Sequence, residues 1–246
     1  MLQKTEAVIN WVKEQFKNIP DGKAIIGISG GKDSTIAAAL CVEALGADRV
    51  RGVLMPNGIQ EDIQDSIWVC QLLGIEYEII NIQGAYESLL YHIGFPAHAS
   101  VPNIIKTNMP ARLRMTTLYA VAGLFPNARV INTCNWSEDY VGYSTKYGDA
   151  AGDISPLGNL TVREVLEIGD DLHLPYKLVH KVPSDGMCGK SDEDNLGFTY
   201  EELDNYILNT GEVSDEVKEK IQKLHNSTRH KYKSIPTFYW SEGDEF

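Results

Sequence analysis

Residues 27–34, GISGGKDS, directly follow the apolar run Ala24-Ile25-Ile26 and constrain this chain more than any other stretch. Two adjacent glycines between two serines let the backbone turn sharply after a strand, and the turn aims several N–H groups at one point. A helix beginning near Asp33 then directs the positive end of its macrodipole, roughly half an elementary charge, at the same point. Such a strand–turn–helix unit is a cradle for phosphate.

Two familiar phosphate loops do not fit. In GxxxxGK[ST] a hydroxyl residue follows the lysine and a glycine opens the motif; here Asp33 follows Lys32 and Ile26 stands in the opening position. The GxGxxG fingerprint fails as well. What remains is SGGxDS, Ser29-Gly30-Gly31-Lys32-Asp33-Ser34, which resembles the loop of the ATP pyrophosphatase superfamily. Those enzymes split ATP between the α and β phosphates, leaving AMP and pyrophosphate. Lys32 occupies the variable position of the signature, for which no side-chain role is implied.

Around the loop, apolar runs alternate with amphipathic stretches. Helices are expected near 3–17, 34–45, 61–73 and 108–124, and strands at 24–29, 50–55, 76–81 and 129–133. This alternation implies right-handed βαβ units and an α/β fold: an open parallel, Rossmann-like sheet with helices on both faces. Ligands of open α/β sheets lie beyond the carboxyl ends of the strands. The loop, Met55-Pro56-Asn57 and Thr133-Cys134-Asn135 all fall at such ends, so three strand ends are expected to converge on one pocket.

A chain of 246 residues, 43% hydrophobic, can form one large core, and we expect a single domain over 1–246 with a helical C-terminal extension. The net charge of −12 argues against unspecific binding to nucleic acid or anionic membranes, so anionic substrates need a local cluster of cations. No run approaches ~18 apolar residues. Glu6, Lys13 and Glu14 break any signal-peptide layout, and a cytoplasmic protein is expected. Cys41, Cys70, Cys134 and Cys188 form no CxxC pair, which points away from zinc, redox dithiols and sulfur transfer.

In the second half, Thr161 with Glu164 and Thr199 with Glu202 fit capping boxes that start helices reaching about Leu172 and Leu208. Between them, residues 183–197 are rich in Gly, Ser and Asp and read as a mobile loop or lid. A last helix is expected over 214–231.

Attack at an α-phosphate needs magnesium to neutralise the leaving pyrophosphate, and magnesium takes carboxylates together with phosphate oxygens. Asp33 in the loop and Glu138 just beyond the fourth strand are the carboxylates best placed for this. With the loop, the segments AR-x-RM (111–115), STKYGD (144–149) with Asp153, SDEDNLGFTYEELDNYI (191–207) and His230-Lys231 resemble, in order, the motif set of ammonia-dependent NAD synthetases.

The resemblance implies a two-step amidation. The nicotinate carboxylate of deamido-NAD attacks the α-phosphorus of ATP, and ammonia then displaces AMP to give NAD. It implies that Gly27, Ile28, Ser29, Gly30, Gly31, Lys32, Asp33 and Ser34 hold ATP, with further contacts from Thr133 and Ser184. Asp33 and Glu138 would bind Mg2+ and act as the catalytic pair, while Arg112, Lys146, Asp153, His230 and Lys231 would bind deamido-NAD. It also implies a homodimer, for which the helical stretch 113–124 offers an apolar face.

Three departures stand out. The family's ATP-contacting lysine after Leu160-Thr161 is replaced by Val162, and Arg163 lies one position later, about 100° further round a helix. Asn132-Thr133-Cys134-Asn135-Trp136 differs from the commoner GTDHA, and Ser184 stands where threonine is usual. Met1 lies too close to the first strand for a preceding glutaminase domain, so free ammonia is the expected donor unless a separate subunit supplies it. Other amidoligases of the superfamily would not need TKYGD, and a non-catalytic adenine-nucleotide module would not need Asp33 together with Glu138.

Overall fold

The computed structural model describes residues 1–96, 99–181 and 192–238. Helix α1 (Gln3–Gln15) leads into strand β1 (Ala24–Gly27) and helix α2 (Lys32–Leu45); β2 (Val50–Leu54), α3 (Ile63–Leu73) and β3 (Glu76–Ile79) follow. Helices α4 (Gln83–His92) and α5 (Asn103–Ala122) precede β4 (Arg129–Ile131), and the short α6 (Trp136–Val141) leaves its carboxyl end. Helices α7 (Val162–Asp171), α8 (Tyr176–Val179), α9 (Asp192–Leu196), α10 (Tyr200–Leu208) and α11 (Asp215–Thr228) complete the chain, with a 3-10 turn at Arg229–Lys231.

The four strands form a parallel sheet in the order β3-β2-β1-β4. Strand direction and order agree with the alternating pattern, and the order reverses between β1 and β4. Alternation of side chains along a strand splits the core into two layers. Ala24, Ile26 and Ile28 point to the layer shared with Cys41 of α2 and Val69 of α3. Ile25, Val53 and Met55 point to the other, against Val121, Leu113 and Leu118. Helices α1, α2, α7 and α8 build a further apolar cluster around Leu40, Leu157 and Ile168. The C-terminal helices pack on one another through Val141, Phe198, Leu203 and Ile221.

Three sequence-based expectations need correction. Helix α5 begins at Asn103, not Asn108, and carries Pro110 inside. Proline within a helix forfeits one hydrogen bond. Helices α4, α6 and α8 lie outside the expected set, α6 although Asn135 and Glu138 form a complete capping box. Residues 192–196, assigned to a loop, are helical. Three acids in the first turn favour the helix N-terminus, and Leu196 packs on the C-terminal cluster. The remainder of the expected lid, 183–191, lies outside the described residues, as does Ser184. The capping boxes at Thr161 and Thr199 are both formed.

Candidate functional site

The loop leaves β1 still attached to the sheet, because Ile28 N donates to Val53 O at 3.0 Å and its side chain enters the core. Only the backbone of Ile28 can therefore face a ligand. Ser29 Oγ and Ser34 Oγ share a hydrogen bond of 3.0 Å, and Gly31 N donates to Ser29 Oγ at 3.2 Å. These contacts brace the turn. Gly30 has φ +78°, and no side chain caps α2 at Gly31. The first-turn N–H groups of α2 thus remain available to an anion.

Asp33 and Glu138 come together through a residue that the sequence reading passed over. Asn135 is fully buried. Its Nδ2 donates to Asp33 Oδ1 at 3.0 Å, its backbone N donates to Glu138 Oε2 at 3.3 Å, and its Oδ1 accepts from Glu138 N at 3.0 Å. One residue, through its side chain and its backbone N–H, thereby fixes two carboxylates 105 positions apart in the chain (138 minus 33). The Asn-x-x-Glu spacing carried the signal. Burial, and next the charge of Asp33, push the Glu138 carboxyl up to about 8. Two mutually repelling carboxylates with only oxygen donors suit Mg2+, which takes one or two protein carboxylates and fills its shell with phosphate oxygens and water. They do not suit zinc, and no group of three or more His, Cys, Asp or Glu able to hold a metal occurs among the described residues.

Asn135→Ala is expected to cost about 1 kcal/mol of stability as a lost N-cap. If the loop holds ATP as its resemblance implies, loss of the bond to the Asp33 carboxylate should weaken ATP binding about tenfold. Urea denaturation and an ATP titration measure the two effects separately. Normal ATP affinity in a destabilised variant would reduce Asn135 to a cap.

Lys32 differs most from the reading of its sequence position. Its side chain is 6% exposed and Nζ donates to Asp33 Oδ2 at 2.8 Å. Tyr200 lies beneath it, with Nζ 5.6 Å from the ring centroid. Both residues line a cavity of about 420 Å3 together with Val162, Arg163 and Leu166. Arg163, considered as a stand-in for the family lysine, is engaged elsewhere: Nη2 donates to Asn205 Oδ1 at 2.6 Å and its backbone N to Asp204 Oδ2 at 2.8 Å.

Four of the five residues expected to bind the second substrate are joined in one cluster. Arg112 Nε on α5 donates to Lys146 O at 3.3 Å, and Lys146 Nζ donates to His230 O at 2.8 Å. Lys231 Nζ donates to Gly142 O at 2.6 Å and Ser144 O at 2.7 Å. Asp153 is bound differently. Its carboxylate accepts from Val130 N at 2.8 Å and from Tyr119 OH at 3.1 Å, tying β4 to α5. Thr133 follows β4 as expected and is half-buried. Helix α6 connects the two halves of the site, with Glu138 in its first turn and the Lys231 acceptor Gly142 at its C-cap.

The model of the NAD synthase family matches residues 4–236. The chain belongs to this family. Among NAD synthase relatives, the NH(3)-dependent NAD(+) synthetase of Carboxydothermus hydrogenoformans is 36% identical over 95% of this chain and 96% of its own. Among solved structures, NMN synthetase from Francisella tularensis superposes with a TM-score of 0.87 at 38% identity, covering 97% of this chain and 98% of that one. The NH3-dependent NAD synthetase of Campylobacter jejuni gives 0.77 at 28% identity, covering 96% and 98%. The NAD synthase assignment agrees with the sequence resemblance and with the parallel sheet.

Proposed function

We propose that this protein is an ammonia-dependent NAD synthetase, amidating deamido-NAD at the expense of ATP and releasing AMP and pyrophosphate. One observation carries this reading: α6 joins a phosphate cradle with paired carboxylates to a cluster of cations. The cradle suits a triphosphate, and Arg112, Lys146 and Lys231 suit a pyrophosphate-linked dinucleotide in a chain of net charge −12.

A carboxylate resists amidation because its leaving group is poor and its charge repels nucleophiles. Adenylation removes both obstacles. Residues 27–34 would orient the triphosphate so that the nicotinate carboxylate can approach the α-phosphorus, and Asp33 and Glu138 would hold Mg2+, which neutralises the leaving pyrophosphate. The protein then contributes positioning and charge and needs no covalent nucleophile. Thr133, which follows β4, would contact ATP, and Arg112, Lys146, His230 and Lys231 would grip deamido-NAD; Asp153 would act through the β4–α5 junction. Purified protein with ATP, magnesium, ammonium and deamido-NAD should form NAD and AMP in equal amounts, and glutamine should not replace ammonium. ATP binding without either product would refute the reading.

The likeness to an NMN synthetase supports a second acceptor, nicotinate mononucleotide, which shares the reacting carboxylate and lacks the AMP half. In competition, kcat/KM for deamido-NAD is expected to exceed that for the mononucleotide by at least about tenfold. The reverse order would assign the mononucleotide as substrate.

A homodimer is part of this proposal. Of the 20 residues of α5 only Pro110 and Val121 are buried, and Ile104 is 69%, Tyr91 78% and Ile93 61% exposed nearby. Exposed apolar area of this kind marks an interface. Sedimentation velocity should show twice the 27.4 kDa chain mass, and Ile104→Asp should shift it toward monomer.

A further inference from the structure

We propose that Lys32 is a transferable cation of the phosphate cradle: held by Asp33 when the site is empty, its ammonium passes to the polyphosphate when nucleotide and metal bind together. The inference rests on the reading of this site as an ATP site. Lys32 opens α2, where a positive charge opposes the helix dipole. Neighbouring helical side chains diverge by about 100°, so spacing alone does not bring Lys32 onto Asp33. Placement there is imposed by the site: by the Tyr200 ring and by the charges of Asp33, Glu138 and Asp192.

Among the described residues, the other basic side chains that line the cavity are already engaged. Arg163 is bound to Asn205, His180 to Asp170, and Lys181 to Asp62 and Asp65. Lys32 alone among them is paired with a carboxylate that the divalent cation would claim. Once Asp33 is claimed, a buried ammonium needs another anion; Asp192 already acts on it, and the polyphosphate arriving with the metal brings the larger charge. Tyr200 marks the same spot as unfinished. Its hydroxyl is buried with no hydrogen-bond partner among the described residues, and the residue is 5% exposed. Val162, which lines the same cavity, contributes no charge, and Lys32 supplies one.

The consequence is a coupling between ligands. Lys32 repels a divalent cation that arrives alone and attracts one that brings phosphate, and by linkage each ligand tightens the other. Mn2+ binding to the metal-free protein can be followed by the electron paramagnetic resonance of free Mn2+, with and without ATP. In the native protein ATP should tighten Mn2+ at least about tenfold. In Lys32→Met, Mn2+ alone should bind about tenfold more tightly, the coupling should shrink below about threefold, and the KM for ATP should rise about tenfold. Lys32→Arg keeps a cation and should retain the coupling to within about threefold. It carries the test if Lys32→Met does not fold. Unchanged coupling in Lys32→Met, or coupling lost in a folded Lys32→Arg, overturns the proposal. NAD formation by the native protein alongside either result leaves the proposed function standing, whereas absence of NAD formation refutes that function.

Discussion

Asp33→Asn should lower kcat about a thousandfold, as loss of a preorganised charge at a transition state does, while the KM for deamido-NAD changes less than about threefold. The substitution keeps the shape and the Asn135 contact. It removes the negative charge that pairs with Lys32 at 2.8 Å and that would bind magnesium beside Glu138. The cation cluster around Arg112 and Lys146 is anchored by α5 and the 3-10 turn rather than by the loop, so binding of the second substrate should persist. Steady-state rates of AMP release at varied deamido-NAD measure both quantities. A parallel fall in kcat and in deamido-NAD affinity would contradict a metal role for Asp33.

Gly30→Ala should lower both stability and ATP affinity. The left-handed conformation at φ +78° costs a non-glycine residue about 1–2 kcal/mol. A Cβ there would also lie 2.9 Å from Ser66 N and 3.1 Å from Asp65 Cβ at the start of α3. These are backbone-fixed neighbours, so overpacking adds about 1–3 kcal/mol. For a chain of this size the sum corresponds to a fall in Tm of roughly 4–20 °C. Relief of the clash has to move the cradle itself, and a displacement of about 1 Å at such a site can cost a hundredfold. Calorimetry and ATP titration test the pair; an alanine variant with native ATP affinity would show that the turn is not the phosphate site.

How much of this was legible beforehand differs from element to element. Strands β1, β2 and β4 and helices α2, α7 and α10 were readable within a few residues, because buried strands leave apolar runs and capped helices leave Thr-x-x-Glu signals. Helix α4 buries no residue and α6 spans only six, so neither leaves a long amphipathic period. The helical turn at 192–196 was hidden by its polarity, since only Leu196 of that segment is packed on the C-terminal cluster. Asn135 was readable from the same spacing rule that found Thr161 and Thr199. Its bond to Asp33 was not, because nothing local links residues 102 positions apart.

The chemistry of the cradle is written locally in the chain. A glycine pair at a strand end, an acid following Lys32 and the order of motifs are local facts, and they suffice for ATP-type phosphate binding and for family membership. Which charges meet depends on how the strands and helices pack. Parallel order β3-β2-β1-β4 places β4 beside β1, which brings Asn135 and Glu138 to Asp33. The packing of α10 sets Tyr200 under Lys32. Ion pairs depend on distance and desolvation rather than on separation along the chain, and for that reason Lys32, a variable letter in the motif, becomes a buried cation of the site.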